Sequence, residues 1–279
     1  MEALPYIRAY QGATVVIKYG GHAMVEPSLQ KALAQDVALL KFVGINPVVV
    51  HGGGPQINDL LARLNLESKF VAGHRYTDEQ TLEVVRMVLG GHIGKDIAGR
   101  LTLAGAKALA LTGQDGFLIK AEKKKVRPTE SAEPVDIGLV GEPVEVDNYL
   151  LKHLIGGGII PVISPVGVDS SGQSYNINAD TAAAAVAVAL KAARLILLTD
   201  VPGVLDGEQK LVTRLTEKDI RALETKGAIS GGMLPKLSSC LMALAGGCRG
   251  AAIIDGRVHH AVLLELLTDR GYGTEVAPD

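Results

Sequence analysis

Thr14-Val15-Val16-Ile17-Lys18-Tyr19-Gly20-Gly21 decides how the rest of this 279-residue chain is read. The β-branched run Thr14-Val15-Val16-Ile17 reads as a buried strand of a parallel sheet. It delivers a lysine and two glycines at its carboxyl end. Such a lysine either snorkels from the strand end into water or lays an ammonium beside an anion. Glycines in the turn after it let backbone N–H groups approach a phosphate with no Cβ in the way.

Outward from this strand the same unit recurs. A helix follows Pro27, with Leu29, Ala32, Leu33, Val37, Leu40 and Val43 at helical spacing and Gly44 as its stop. The strand Pro47-Val48-Val49-Val50 then runs into His51-Gly52-Gly53-Gly54, and a helix covers residues 56–64. Two successive strand–helix units predict an α/β fold with a parallel sheet, whose ligands sit at the carboxyl ends of the strands. Helical stretches at 78–89 and 95–103 precede a strand at 108–111 and the turn Thr112-Gly113-Gln114-Asp115-Gly116. From 117 to 148 the pattern changes to short alternating runs, which predict β-hairpins decorating the sheet. Lys123-Lys124-Lys125 lies there and reads as a solvated hairpin face.

The buried pattern returns with the strand Ile159-Ile160-Pro161-Val162-Ile163, a polar stretch at 172–180 and an Ala-rich helix at 181–193. A strand at 195–199 ends at Asp200-Val201-Pro202-Gly203-Val204-Leu205. A helix at 234–245, a strand at 251–254, a helix at 260–268 and an extended piece at 273–276 follow. No linker of disordered composition interrupts the chain, so residues 1–279 are expected to form a single domain of two lobes sharing one continuous sheet.

A formal net charge of −2, three Phe and no Trp argue against nucleic acid as a partner. Cys240 and Cys248 have no metal-ligand company and read as reduced thiols in packing roles. His22 and His51 read as local hydrogen-bonding or packing residues, since no second ligand stands at helical spacing and no metal site is expected. The start of the chain lacks the pattern of a secretory leader, and its apolar runs are too short for a bilayer span. The expectation is a cytoplasmic protein that does not enter a membrane.

Several chemistries compete for the Gly-rich turns. The Gly-x-x-x-x-Gly-Lys-Ser/Thr loop is absent: near Gly94-Lys95-Asp96, Leu89 replaces the first glycine and Asp96 the hydroxyl. The protein-kinase set is absent as well. His51-Gly52-Gly53-Gly54 also matches the oxyanion loop of serine hydrolases, but these need Gly-x-Ser-x-Gly. The nearest stretch, Ala228-Ile229-Ser230-Gly231-Gly232, starts with Ala228. A dinucleotide fingerprint fails at Ile57, where a third glycine belongs. A nucleotide-binding protein without catalysis stays open if Lys18 and Lys236 are structural.

Taken in order, Val16-Ile17-Lys18-Tyr19-Gly20-Gly21, His51-Gly52-Gly53-Gly54-Pro55, Gly73-His74-Arg75-Tyr76-Thr77, Asn176-Ile177-Asn178-Ala179-Asp180, Leu198-Thr199-Asp200-Val201-Pro202-Gly203-Val204-Leu205 and Gly231-Gly232-Met233-Leu234-Pro235-Lys236 resemble the amino-acid kinase family. The resemblance runs from about Leu4 to Val276. It implies a three-layer αβα sandwich with an N-terminal acyl-acceptor lobe, about 1–170, and a C-terminal nucleotide lobe, about 171–279, that holds ATP with Mg2+. Within the family the motifs are most similar to members that phosphorylate the side-chain carboxylate of N-acetyl-L-glutamate, a step of arginine synthesis. A kinase of the aminoadipate type is the alternative.

By matching positions, the resemblance implies that Lys18 and Lys236 flank the transferring phosphoryl group and that Asp180 orients both. Gly20, Gly21, Gly53 and Gly54 would donate N–H groups to the phosphates and the acceptor carboxylate. Arg75, Asn176 and Asn178 would bind the substrate, Arg75 and Asn176 at its α-carboxylate end. Asp200, Val201, Pro202, Gly203, Val204 and Leu205, with Ala228, Ile229 and Ser230, would line the nucleotide. Local readings compete with these roles: Asp180 as the N-cap of the Ala-rich helix, Arg75 as a surface ion pair, Asn176 and Asn178 as turn residues. Arginine-inhibited relatives carry a longer N-terminal helix that joins dimers into hexamers, whereas only residues 2–10 precede Gly12's turn here. The expectation is a homodimer or larger homo-oligomer, with arginine as a candidate effector whose feedback the short helix puts in question.

Overall fold

The structure, a computed structural model, describes residues 3–127, 133–225, 227–229, 231–269 and 271–278. The side chain of His22 and all of Ser230 lie outside the described residues.

Helix α1 (Leu4–Tyr10) leads into β1 (Thr14–Tyr19), a 3₁₀ turn over Gly21–Met24 and α2 (Pro27–Phe42). The pair β2 (Asn46–His51) and α3 (Gly54–Arg63) repeats the unit, and a small hairpin of β3 (Phe70–Val71) and β4 (His74–Arg75) follows. Next come α4 (Glu79–Arg86), a π-helical segment at Met87–Ile93, α5 (Gly94–Leu103) and β5 (Ala108–Thr112). Strands β6 (Ile119–Val126) and β7 (Val135–Val146) precede α6 (Asn148–Gly156), β8 (Ile160–Ser164), β9 (Val166–Val168) and β10 (Ser174–Ile177). The last third holds α7 (Ala179–Ala189), β11 (Arg194–Thr199), β12 (Arg214–Leu215), α8 (Glu217–Thr225), α9 (Met233–Ala245), β13 (Ala251–Asp255), α10 (Ala261–Leu267) and β14 (Gly273–Val276).

Eight strands form one sheet in the order β12-β14-β13-β11-β1-β2-β8-β5. All neighbours from β13 to β5 pair in parallel, β14 runs antiparallel to β13, and β12 pairs in parallel with β14, so these two edge strands run opposite to the other six. The predicted parallel α/β sheet is therefore present. The chain leaves β1 for β2 on one side and returns to β11 on the other. The crevice at the carboxyl end of β1 is thus the point where strand order switches, which is where such sheets bind ligands.

Strand alternation sorts the two faces. Val15, Ile17 and Tyr19 enter one apolar layer with Leu33, Val37, Ile97 and Leu266, whereas Val16 enters the other with Ala183, Val186 and Ala243. Lys18 therefore points to the face on which α7 crosses β1. The Ala-rich composition of α7 explains its place: six of its residues are buried, and small side chains let the helix lie close against β1, β2 and β11.

The alternating runs after residue 117 do form a hairpin, β6 against β7, but they do more than decorate the sheet. With β9 and β10 they close into a four-stranded ring of their own, which the short polar stretch before residue 180 gave no reason to expect. Lys123 and Lys124 pair with Asp136 and Glu142 on its outer face, the solvated arrangement predicted for them. Cys240 and Cys248 are free and buried, and burial pushes both thiols up from their ordinary range. No described helix is long and apolar enough to cross a membrane.

Candidate active site

Three charged side chains meet at the end of β1. Asp180 Oδ2 accepts a hydrogen bond from Lys236 Nζ at 2.7 Å, and Lys18 Nζ lies 3.0 Å from Asp180 Oδ1 as an ion pair. Asp180 and Lys18 are buried, and Lys236 is nearly so. Local chemistry fixes each one. Asn178, not Asp180, is the N-cap of α7: its Oδ1 accepts from the N–H groups of Asp180 and Thr181 at 2.9 and 3.1 Å. The capping reading of Asp180 thus gives way, because the cap belongs two residues earlier. The Asp180 carboxylate is left free to face the two lysines.

Burial by itself pushes the Asp180 carboxyl up, but the neighbouring Lys18 and Lys236 charges outweigh it and hold the group below the usual carboxylate range. Lys18 shifts down from its ordinary value, chiefly through burial and also through Lys236, with Asp180 opposing. Two ammonium groups around one carboxylate leave one net positive charge in a water-poor place, where fixed charge acts strongly on an anion. Lys18 folds back over Gly20, where an added Cβ would fall 2.6 Å from its Nζ. At Gly21, with φ +72°, the Asp200 carboxylate occupies the space a Cβ would need. Close approach thus bears on both glycines of the turn, and backbone form on Gly21 alone.

The second Gly turn adjoins the first. Gly52 N–H donates to Tyr19 O at 2.8 Å, tying the ends of β2 and β1 together. Gly53 caps α3, and a Cβ there would press within 2.5 Å of Ile93 Cδ1 and 2.6 Å of Leu89 Cδ2. Those two side chains come from the π-helical segment, whose extra residue per turn swings them onto the turn. His51 is fully buried behind it, with Nδ1 2.9 Å from Gly52 O and Nε2 2.9 Å from Ser164 Oγ.

Burial holds His51 down at about 4 against an ordinary 6.5. The unfolded chain therefore takes up this proton first as pH falls. The stability contributed by the neutral ring is complete above pH 6.5 and is lost between 6.5 and about 4, a change of about 3 kcal/mol. His51→Gln is expected to flatten that part of the pH–stability curve, measured by urea unfolding at several pH values. An unchanged acid slope in the variant would assign the loss to other groups.

Arg75 ends the small hairpin and is 8 % exposed, with no carboxylate within 4 Å among the described residues. It is not a surface ion pair. Its Nη1 donates to Ser68 Oγ, its Nη2 lies 3.4 Å from Gly54 O, and its guanidinium stacks 4.8 Å from the Phe70 ring centre. Held flat by the ring and beside the Gly54 turn, it presents a cation to whatever occupies that turn. Asn176 joins it through Thr77: Asn176 Nδ2 donates to Thr77 Oγ1 at 3.2 Å, and Thr77 Oγ1 donates to Arg75 O at 2.9 Å. Ser68, Phe70, Thr77 and Ser164 were not singled out from sequence. Only Thr77, within Gly73-His74-Arg75-Tyr76-Thr77, carried a signal.

The loop after β11 is split between surface and core. Val201 and Pro202 are exposed, whereas Val204 is buried and donates its N–H to Thr274 Oγ1 at 2.8 Å. Gly203 packs so close to β14 that a Cβ would lie 2.6 Å from Thr274 Oγ1. Leu205 forms an isolated bridge with Leu211, Ala228 N–H donates to Leu223 O, and Ile229 is packed into the core. Asp200 stands at the Gly21 turn, so this loop does reach the site.

A fold of this topology with two lysines across a carboxylate and two Gly turns defines a phosphotransferase, and the chain belongs to the amino acid kinase family, whose model matches residues 13–255. Membership of a kinase family implies the use of ATP. The chain is 52% identical to the acetylglutamate kinase of Nitratidesulfovibrio vulgaris over 100% of its own length and 92% of that protein's. It is 53% identical to the acetylglutamate kinase of Geotalea uraniireducens, with 99% and 96% covered. Among solved structures it resembles the N-acetylglutamate synthase of Neisseria gonorrhoeae complexed with coenzyme A and N-acetyl-glutamate, at a TM-score of 0.87 and 27% identity. That likeness covers 100% of this chain and 62% of the synthase, so the chain spans less than two thirds of it. Carbamate kinase of Giardia shares the fold, with a TM-score of 0.65 at 19% identity over 96% and 99% of the two chains.

Proposed function

We propose that the protein transfers the γ-phosphoryl group of ATP to the side-chain carboxylate of N-acetyl-L-glutamate, giving N-acetyl-L-glutamyl 5-phosphate. The observation that carries this reading is the Lys18–Asp180–Lys236 cluster beside the Gly53–Gly54 turn, in a chain similar throughout to acetylglutamate kinases. A carboxylate with an ordinary value near 4.3 is already ionised at pH 7, so the reaction needs no general base. What remains is alignment and neutralisation of charge on the moving phosphoryl group, which two lysines on opposite sides of it supply. Asp180 positions both ammonium groups and opposes the loss of charge at Lys18.

The N-terminal lobe, about 1–170, holds the acid on this reading, with N–H groups of Gly53 and Gly54 at the reacting carboxylate and Arg75 at the α-carboxylate. The C-terminal lobe, about 171–279, holds ATP, with Gly20 and Gly21 at its phosphates and the Asp200 loop at its nucleoside. Among the described residues no group of three or more His, Cys, Asp or Glu could form a metal cage. Mg2+ would therefore ride on the nucleotide phosphates and neutralise their charge. A homodimer or larger assembly is part of the proposal, and a monomer mass in light scattering would remove it.

Arg75→Lys is expected to raise KM for the acid about tenfold or more while kcat changes little, because a point charge cannot reproduce a planar two-pronged contact. Steady-state kinetics with the acid varied at saturating ATP reads this directly, and an unchanged KM would take Arg75 out of the substrate site. The reaction itself is tested by following ATP and acetylglutamate with phosphorus NMR. ADP and a hydroxylamine-sensitive acyl phosphate are expected; release of inorganic phosphate alone, unchanged by the acid, would refute it.

A further inference from the structure

The orientation of the Asn176 amide is fixed by elementary hydrogen-bond counting. Thr77 has one hydroxyl proton, and Arg75 O can only accept, so that proton is spent at 2.9 Å on Arg75 O. Toward Asn176 the hydroxyl is left with lone pairs only. The group facing it at 3.2 Å must therefore be the Nδ2 donor, and Oδ1 is turned to the other side, where it takes no hydrogen bond from the described residues. Asn176 is half-buried, so this carbonyl remains reachable.

Thr77 is well built for this task. It is fully buried, and its backbone is held independently of its side chain: its N–H donates to Ile137 O at 3.1 Å and its O accepts from Leu139 N–H at 2.6 Å. Gly138 passes so close that a Cβ there would run into the Thr77 carbonyl. The four-stranded ring thus clamps Thr77 between the Arg75 hairpin and β10, the strand that carries Asn176.

We infer that Thr77 is a positioning residue that sets Asn176 as a hydrogen-bond acceptor, so that the site selects an acid whose α substituent carries an N–H. This rests on the functional reading above, with Arg75 at the α-carboxylate, and moves the Asn176 carbonyl from that carboxylate, where Asn176 was expected, to the neighbouring α substituent. An acylamino group offers a donor to Asn176 Oδ1. An ester of the same shape brings a second acceptor there and leaves Oδ1 unpaired, which sites of this kind reject strongly.

The test compares N-acetyl-L-glutamate with 2-acetoxyglutarate, in which oxygen replaces the N–H, in wild type, Thr77→Ser and Thr77→Val. Wild type and Thr77→Ser are expected to favour the amide by about a hundredfold or more in kcat/KM. Thr77→Val frees the Asn176 amide to turn, and the preference is expected to fall to about tenfold or less, through a higher KM for the amide with kcat little changed. Should Thr77→Val not fold, Thr77→Cys carries the same expectation, since a thiol keeps the volume with much weaker hydrogen bonding. An active wild type whose preference survives unchanged in the folded Val or Cys variant overturns the role of Thr77. An active wild type that uses ester and amide equally overturns the acceptor assignment, and a wild type inactive on acetylglutamate removes the functional reading together with this inference.

Discussion

Lys236→Ala is expected to lower kcat by about a hundredfold or more while the fold persists. Lys236 lies in the first turn of α9 with its Nζ 2.7 Å from Asp180 Oδ2, and its side chain keeps 16% exposure, so its removal opens no large void in the core. What disappears is one of two preorganised cations. The cluster passes from one net positive charge to none, and loss of a single such donor from a closed site is worth about 10²–10³ in rate. The comparison to make is kcat from ADP release at saturating acid and ATP, with thermal unfolding as a control. Turnover within a few-fold of wild type in a folded variant would remove Lys236 from the phosphoryl-transfer step.

Asp180→Asn is expected to have the largest combined effect. Its carboxylate bridges both lysines, and without it two ammonium groups face each other in a buried place. Breaking a buried pair while its partner charges stay costs about 3–5 kcal/mol of stability. The activity carries a separate signature. Asp180 raises the value of Lys18 against burial and against Lys236, so its loss sends Lys18 further down. Because Lys18 acts protonated, activity is retained below its folded value and lost as pH rises through it. The alkaline limb of the pH–rate profile is therefore expected to move toward lower pH in Asp180→Asn. A limb at its wild-type position, with stability alone reduced, would reduce Asp180 to a structural role.

Much of the frame that positions these groups was legible in the sequence, and the reason is periodicity. Apolar runs at Val15-Val16-Ile17, Val48-Val49-Val50 and Ile160-Pro161-Val162-Ile163 are buried on both faces and have few other readings. The elements that escaped are those whose form is dictated by distant contacts. The two helical stretches on either side of Gly90-Gly91 are one continuous run, because the π-helical segment is held by Gly53, His51 and Ser164 far along the chain. Strands β9 and β10 have three and four residues and exist only because the ring closes around them. Helices α6 and α8 also went unread.

The site divides along the same line. Lys18 and its glycines announced themselves at a strand end, and Arg75 stood in a recognisable motif. That Lys18, Asp180 and Lys236 converge is a fact of strand alternation and of α7 crossing β1, which no local spacing encodes. Asn178 was expected at the substrate, yet its Oδ1 is committed to capping α7, a use that its place before Ala179-Asp180-Thr181 could have signalled.

On the function proposed above, this arrangement makes an acyl phosphate on one particular acid. ATP-dependent hydroxamate formation, measured side by side with N-acetyl-L-glutamate, N-acetyl-L-aminoadipate, L-glutamate and L-aspartate, tests it most directly. The expected kcat/KM for N-acetyl-L-glutamate is at least about tenfold above each of the others, since one methylene or one missing contact is worth that much in a fitted site. Equal or faster hydroxamate formation with any other acid of the four, or none that depends on ATP, would contradict it.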